Sequence, residues 1–283
     1  MAKTKKSSKK KTITKTTVTT VTTTTTEIDK SLDTHYLLVL DRSGSMQGCW
    51  NSTIEGLNEQ LGTIRGLDKK YPEQRYFLTL VAFDNEIETI VDDMPIAEVE
   101  DFKGDEFPPR GMTSLHDAIG ISVTNLKATI AKKDKENDNI STALVVIMTD
   151  GHENNSKEHN SKSIKEMIDE LNETDAWTFS YMGANQDAVL TASNFGIGAG
   201  NAINYASTAK GASVAYDTLS RGIMSRANNN SRLYNMSVSA TGGASLGSMN
   251  LDNTSFLADV VEGDTIGEDD SNAKEYNSSE DKA

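Results

Sequence analysis

A single cysteine, Cys49, leaves this 283-residue chain no internal disulfide, which argues against the small disulfide-stapled scaffolds of secreted proteins. No run of about eighteen apolar residues is present, so no stretch reads as a membrane-spanning helix. Basic residues are outnumbered, 28 Lys and Arg against 42 Asp and Glu: the formal net charge of −14 would repel polyanions from most of the surface and speaks against general nucleic-acid binding. A phosphate-cradling Gly-x-x-x-x-Gly-Lys-Ser/Thr loop is missing, and with it any sign of a P-loop ATPase. Met1 to Lys11 is basic but runs into threonines, not an apolar core, so it does not read as a secretory signal. These absences lead to the expectation of a soluble, cytoplasmic protein.

The apolar fraction is 36%, diluted by polar ends, and the middle of the chain is rich enough to bury a proper core. Residues 1–30 are dominated by lysine and threonine and read as a disordered arm, with Thr17-Val18-Thr19 able to add an edge strand to a partner. From residue 227 the chain turns polar and then acidic and reads as a largely disordered tail through 283, with short pieces around 232–238 and 256–261. Between them, residues 33–226 carry a strand and helix rhythm. Continuous apolar runs at Tyr36 to Leu40 and Ala143 to Met148 read as strands covered on both faces. Tyr76 to Phe83 and the stretch from Ile87 to Val91 flank an Asp84-Asn85 turn and predict a hairpin with an antiparallel edge. Trp177 to Met182 and Ala202 to Tyr205 are the fifth and sixth strands.

Helices are predicted where apolar residues recur at spacings of three and four. Ile54, Leu57, Leu61 and Ile64 mark one that Gly66 ends, and Leu115 to Ile130 a second beginning near Ser114. A solvated charged run follows at Lys132 to Asn139, then helices at Ile164 to Leu171, Asp187 to Asn194 and Gly211 to Arg226. The rhythm implies an α/β fold: a doubly wound, Rossmann-like, mostly parallel six-stranded sheet with one antiparallel edge strand and helices on both faces.

Ligands of such sheets gather at the carboxyl ends of the strands. There the first strand delivers Asp41, Ser43 and Ser45, whose alternation lets three oxygens face one point while Arg42 and Gly44 face away. The fourth strand delivers Asp150-Gly151, and Gly111-Met112-Thr113-Ser114 is a loop entering a helix. Asp41, Ser43, Ser45, Thr113 and Asp150 are all hard oxygen donors, suited to Mg2+ or Mn2+ and poorly suited to zinc or copper, with Ca2+ the less expected hard ion.

Asp-x-Ser-x-Ser after the first strand, a loop threonine, and Thr-Asp-Gly after the fourth closely resemble the metal-ion-dependent adhesion site (MIDAS) of von Willebrand factor A (VWA) domains. The resemblance covers about residues 33–225, and the Gly183-Ala184-Asn185-Gln186-Asp187 turn is similar to turns in stand-alone bacterial and phage members. It implies that Ser43 and Ser45 coordinate directly, that Thr113 does so in one conformation, and that Asp41 and Asp150 act directly or through water. It also implies an adaptor, not an enzyme, that binds an Asp or Glu of a partner protein, with an AAA+ ATPase as one candidate partner. A metal-dependent hydrolase on the same scaffold is the rival reading, with His116, His152, Glu153, His159 and Cys49 near the site loops. His152 and His159 are seven residues apart, about two helical turns, too far to share a zinc ion on one helix. A structural or assembly component of a phage or large complex is a third.

Overall fold

The computed structural model describes residues 32–137, 140–174, 176–184, 187–206 and 208–241. The proposed arm at 1–30, the Asn185-Gln186 part of the turn after the fifth strand, and the acidic tail lie outside these residues.

Ten consecutive buried residues make β1 (Leu32–Asp41), the centre of the sheet. Its neighbours are β2 (Gln74–Phe83) and β4 (Ile140–Thr149), both parallel to it and in register along its length. β3 (Ile87–Pro95) returns antiparallel to β2 at one edge, while β5 (Trp177–Ala184) and β6 (Ala202–Tyr205) continue in parallel beyond β4. The order is β3-β2-β1-β4-β5-β6. From β1 the chain winds outward to β3 and then crosses back to β4 on the other side of β1. The crevice beyond the carboxyl ends of β1 and β4 is therefore the switch point of a doubly wound sheet, where such folds bind ligands.

Side chains alternate across β1 as the strand period requires. Tyr36, Leu38 and Leu40 enter a core with α1 (Trp50–Lys70) and α5 (Ala209–Thr241). Leu37 and Val39 enter a second core with α2 (Leu115–Asn137), α3 (Ser161–Asn172) and α4 (Ala188–Asn194). The helices thus lie on both faces. α1 and α5 approach so closely that a methyl group on Gly56 would lie 2.1 Å from the Tyr216 ring, so glycine is needed in the middle of α1 despite its helix cost of about 1 kcal/mol.

Three helices outrun their sequence expectations. α1 passes through Gly66 to Lys70, because Leu67 is buried and repeats the apolar face one turn on. α2 includes most of the charged run at Lys132 to Asn139; Lys133 is not simply solvated but lies 3.6 Å above the Phe77 ring and pairs with Asp93. α5 does not stop at Arg226 but runs to Thr241. The Ala227 carbonyl accepts from Gln74 at 2.8 Å, Asn228 from the Tyr71 hydroxyl at 3.2 Å, and the Ser231 hydroxyl donates to Glu73, so part of the polar stretch after 226 is docked to the domain.

Candidate metal centre

Asp41 is the last residue of β1, and its backbone leaves the sheet through an extended Ser43 into a short 3-10 turn at Gly44–Gly48. Alternation holds in this loop. Arg42 turns toward the β2–β3 hairpin, its Nε 3.1 Å from Asp84 and its Nη1 2.7 Å from Glu88. Asp41, Ser43 and Ser45 turn the other way. One Asp41 oxygen accepts from Ser43 N–H at 2.6 Å, and the other accepts from the Thr149 hydroxyl at 2.5 Å. Ser43 and Ser45 hydroxyls lie 3.1 Å apart, and Ser45 donates to Asp150 at 2.5 Å. The β1 loop and the end of β4 are thereby joined oxygen to oxygen.

Thr113 arrives from the third segment. Its N–H donates to the Asn154 side-chain carbonyl at 2.9 Å and its own carbonyl accepts from Asn154 N–H at 3.1 Å, so the loop after β4 grips the threonine backbone from both sides. Gly111 stands at φ +71, a left-handed conformation that glycine adopts without strain, and its carbonyl accepts from Gly44 N–H at 3.2 Å. Asn85 then receives Met112 N–H at 2.5 Å. These bonds set the threonine loop against the serine loop.

The convergence is sharpest beside Gly151. A methyl group built there would sit 3.0 Å from Thr113 Oγ1, 3.5 Å from Asp41 Oδ2 and 3.6 Å from Ser45 Oγ. Oxygens from all three segments therefore border one small space, which a methyl group would enter in ordinary contact with Asp41 and Ser45 while pressing on the Thr113 hydroxyl. Ser43 and Asp150 join it through their bonds to Ser45, so the five residues singled out in the sequence are brought together. Electrostatics suit a cation there. Burial pushes the Asp41 carboxyl up to about 6, aided by the nearby Asp150 charge and opposed by its bonds from Thr149 and Ser43. Burial raises Asp150 as well. Two hydroxyls, a third from Thr113 and two carboxylates fit a hard divalent ion. Among the described residues no group of three or more His, Cys, Asp or Glu side chains could hold a metal in the manner of a zinc site.

The residues of the rival reading have other work. Glu153 accepts four hydrogen bonds, from Asn155 N–H, Ser156 N–H, the Ser156 hydroxyl and His116 N–H. It caps the start of α2 and closes its own loop. Burial would raise its carboxyl, but those bonds outweigh it and the net direction is down. His116 stands edge-on to Phe195 at 5.6 Å, and burial lowers its pKa. His159 packs over Gly120, where a methyl group would meet its ring at 2.5 Å. His152 is exposed, and the buried Cys49 thiol faces the Met46 carbonyl at 3.5 Å.

Several positioning residues were not visible in the sequence as such. Asp117 accepts three successive backbone N–H groups, from Lys157, Glu158 and His159, fixing the loop that carries Asn154. Asp84 takes Arg42 and Arg110 on one oxygen, at 3.1 and 2.7 Å. Because Arg42 follows Asp41 and Arg110 precedes the Thr113 loop, this carboxylate ties two of the three site segments together.

No family model and no curated protein matches the chain. Solved structures do. The von Willebrand factor domain of the type V pilus tip protein Mfa5 from Porphyromonas gingivalis is similar at 12% identity, covering 69% of this chain and 96% of that one, with a TM-score of 0.48. The SpRpn10 VWA domain matches at 15% identity over 65% of this chain and 93% of its own, TM-score 0.44. Proximal thread matrix protein 1 from the mussel byssus matches at 11% identity over 68% of this chain, TM-score 0.44, and the match spans 46% of its length. Likeness at this level carries no functional argument; the architecture rests on the strand order above.

Proposed function

We propose that this chain is a VWA-type interaction module that uses a divalent cation, Mg2+ or Mn2+, to bind an Asp or Glu side chain of a partner protein. The observation that carries the reading is the three-segment oxygen cradle beside Gly151. Ser43, Ser45, Thr113, Asp41 and Asp150 would hold the ion. When bound, it supplies positive charge and a coordination position open to a carboxylate oxygen.

The chain's own residues favour recognition over turnover. Asp41 is pinned at both oxygens by Ser43 and Thr149, which suits a fixed holder of charge more than a group that must move a proton. Glu153 is occupied by its four donors, and His152 is exposed. An adaptor role follows. Its test is a pull-down from the native lysate in Mg2+ and in EDTA, with wild type and Asp41→Ala. The proposal expects partners that appear only with wild type and Mg2+; the same partners in all four arms would contradict it.

A further inference from the structure

Next to the cradle lies a cavity of about 290 Å3 bounded by the start of α2, the loop after β4, β5 and α4. Gly151 belongs to both: it lines the cavity and borders the oxygens of Thr113, Asp41 and Ser45. Four of the ten residues lining the cavity carry rings, His116, His152, Tyr181 and Phe195, and most of the rest are polar. Leu115, Tyr181 and Phe195 are buried there, with Tyr181 tilted against Phe195 at 6.1 Å and the His116 ring edge-on to it at 5.6 Å. Thr191 stands among the more exposed lining residues. The one carboxylate in the lining, Glu153, is already met by four donors, so the cavity makes no strong demand for a cation.

Resting on the metal-site reading above, we infer that this cavity is a second subsite that takes an aromatic side chain, Tyr or Phe, adjacent in sequence to the partner's acidic residue. Size sets the scale of the occupant. Small-molecule sites begin at about 300 Å3, so this one holds a single side chain and not a helix. Chemistry sets its kind: rings that already pair edge to face offer the geometry a further ring prefers, and polar groups at the rim suit a phenol hydroxyl. Placement sets its neighbour, since a residue shared by both sites puts them within the short reach of adjoining residues, whose Cα atoms are about 3.8 Å apart. The two would sit in a turn that brings both side chains to one face, not in an extended strand, where they would point opposite ways. The partner motif is thus acidic-aromatic or aromatic-acidic.

The test uses the full chain with saturating Mg2+ and four capped peptides, Gly-Asp-Tyr-Gly, Gly-Tyr-Asp-Gly, Gly-Asp-Gly-Gly and Gly-Asp-Lys-Gly, with affinities read from amide chemical shifts. At least one tyrosine peptide should bind tenfold or more tighter than the glycine peptide to wild type. That ratio should fall toward one in Thr191→Trp and in Asn194→Trp, two replacements that fill the cavity from α4. Equal affinity of the tyrosine and glycine peptides, with binding still lost in EDTA, overturns the subsite and leaves the metal-site reading standing; so does a lysine peptide that matches tyrosine. Mg2+-independent binding of every peptide, or no binding at all, removes the metal-site reading and the subsite with it.

Discussion

Asp41 and Asp84 stand at neighbouring strand ends, since Asp41 pairs with Phe83 across the β1–β2 ladder. Both are buried, at 0% and 1% exposure, yet they are opposite in kind. Asp84 is compensated from within: burial raises its carboxyl, but bonds from Arg110 and the Glu86 N–H and the charges of Arg42 and Arg110 bring it below the ordinary value. Asp41 has only neutral partners, the hydroxyls of Thr149 and Ser43 and the Ser43 peptide N–H, and it is pushed up. The fold carries a counter-charge for one carboxylate and leaves the other facing a cradle lined by oxygen. A buried charge without compensation is costly, and such a site is one that an external cation would satisfy.

The contrast can be broken most forcefully at Asp84. Asp84→Ala leaves the buried Arg42 with only the half-exposed Glu88 as a carboxylate partner, and urea denaturation should show a loss of about 3 kcal/mol; a neutral outcome would remove Asp84 from the account. Asp41→Asn should do the opposite in EDTA, raising stability by about 2 kcal/mol because an uncompensated charge is gone. In wild type, Mg2+ at a hundredfold over its Kd should add about 2.7 kcal/mol, a rise in melting temperature of about 5–10 °C, and Asp41→Asn should lose that rise.

Smaller effects sharpen the picture. Asp117→Asn should cost about 2 kcal/mol, since a carboxylate held by three peptide N–H groups is replaced by a neutral acceptor, and it should weaken Mg2+ binding about tenfold by loosening Asn154. The Asp84 carboxyl lies lower folded than unfolded, so its contribution is present above the unfolded value of about 4 and is lost as pH falls through the folded one. The stability gap between wild type and Asp84→Asn should therefore hold at pH 6 and shrink below about pH 4 in a series of denaturation curves. Gly151→Ala should change metal-free stability by no more than about 0.5 kcal/mol while abolishing the Mg2+ shift; a retained shift would mean that the cradle is not where the ion sits.

The strands could be read from the sequence, and Asp41, Ser43 and Ser45 proposed as donors, because those signals are local: an unbroken apolar run, then oxygen-bearing residues at alternate positions. The supporting set could not. Thr149 reads as the end of a strand, and its bond to Asp41 exists only because β4 lies beside β1. Asp84 reads as a turn residue, and its role depends on two arginines that come from segments far away in the chain. The end of α5 lies beyond its sequence expectation for a related reason. The Asn and Ser content after Arg226 lowers apparent hydrophobicity, yet Asn230 and Ser231 are buried and Ala227, Asn228 and Ser231 find partners in the segment that leads into β2. Composition shows polarity and not whether it is satisfied.

The central claim is that these three segments share one divalent ion. Diffraction from crystals grown with Mn2+, with data collected at its absorption edge, addresses that directly. The account predicts an anomalous peak beside Gly151, about 2.2 Å from the Ser43 and Ser45 hydroxyl oxygens and close to Asp41, Thr113 and Asp150. A saturating soak that leaves this position without a peak, or puts the peak out of reach of Ser43 and Ser45, would contradict it.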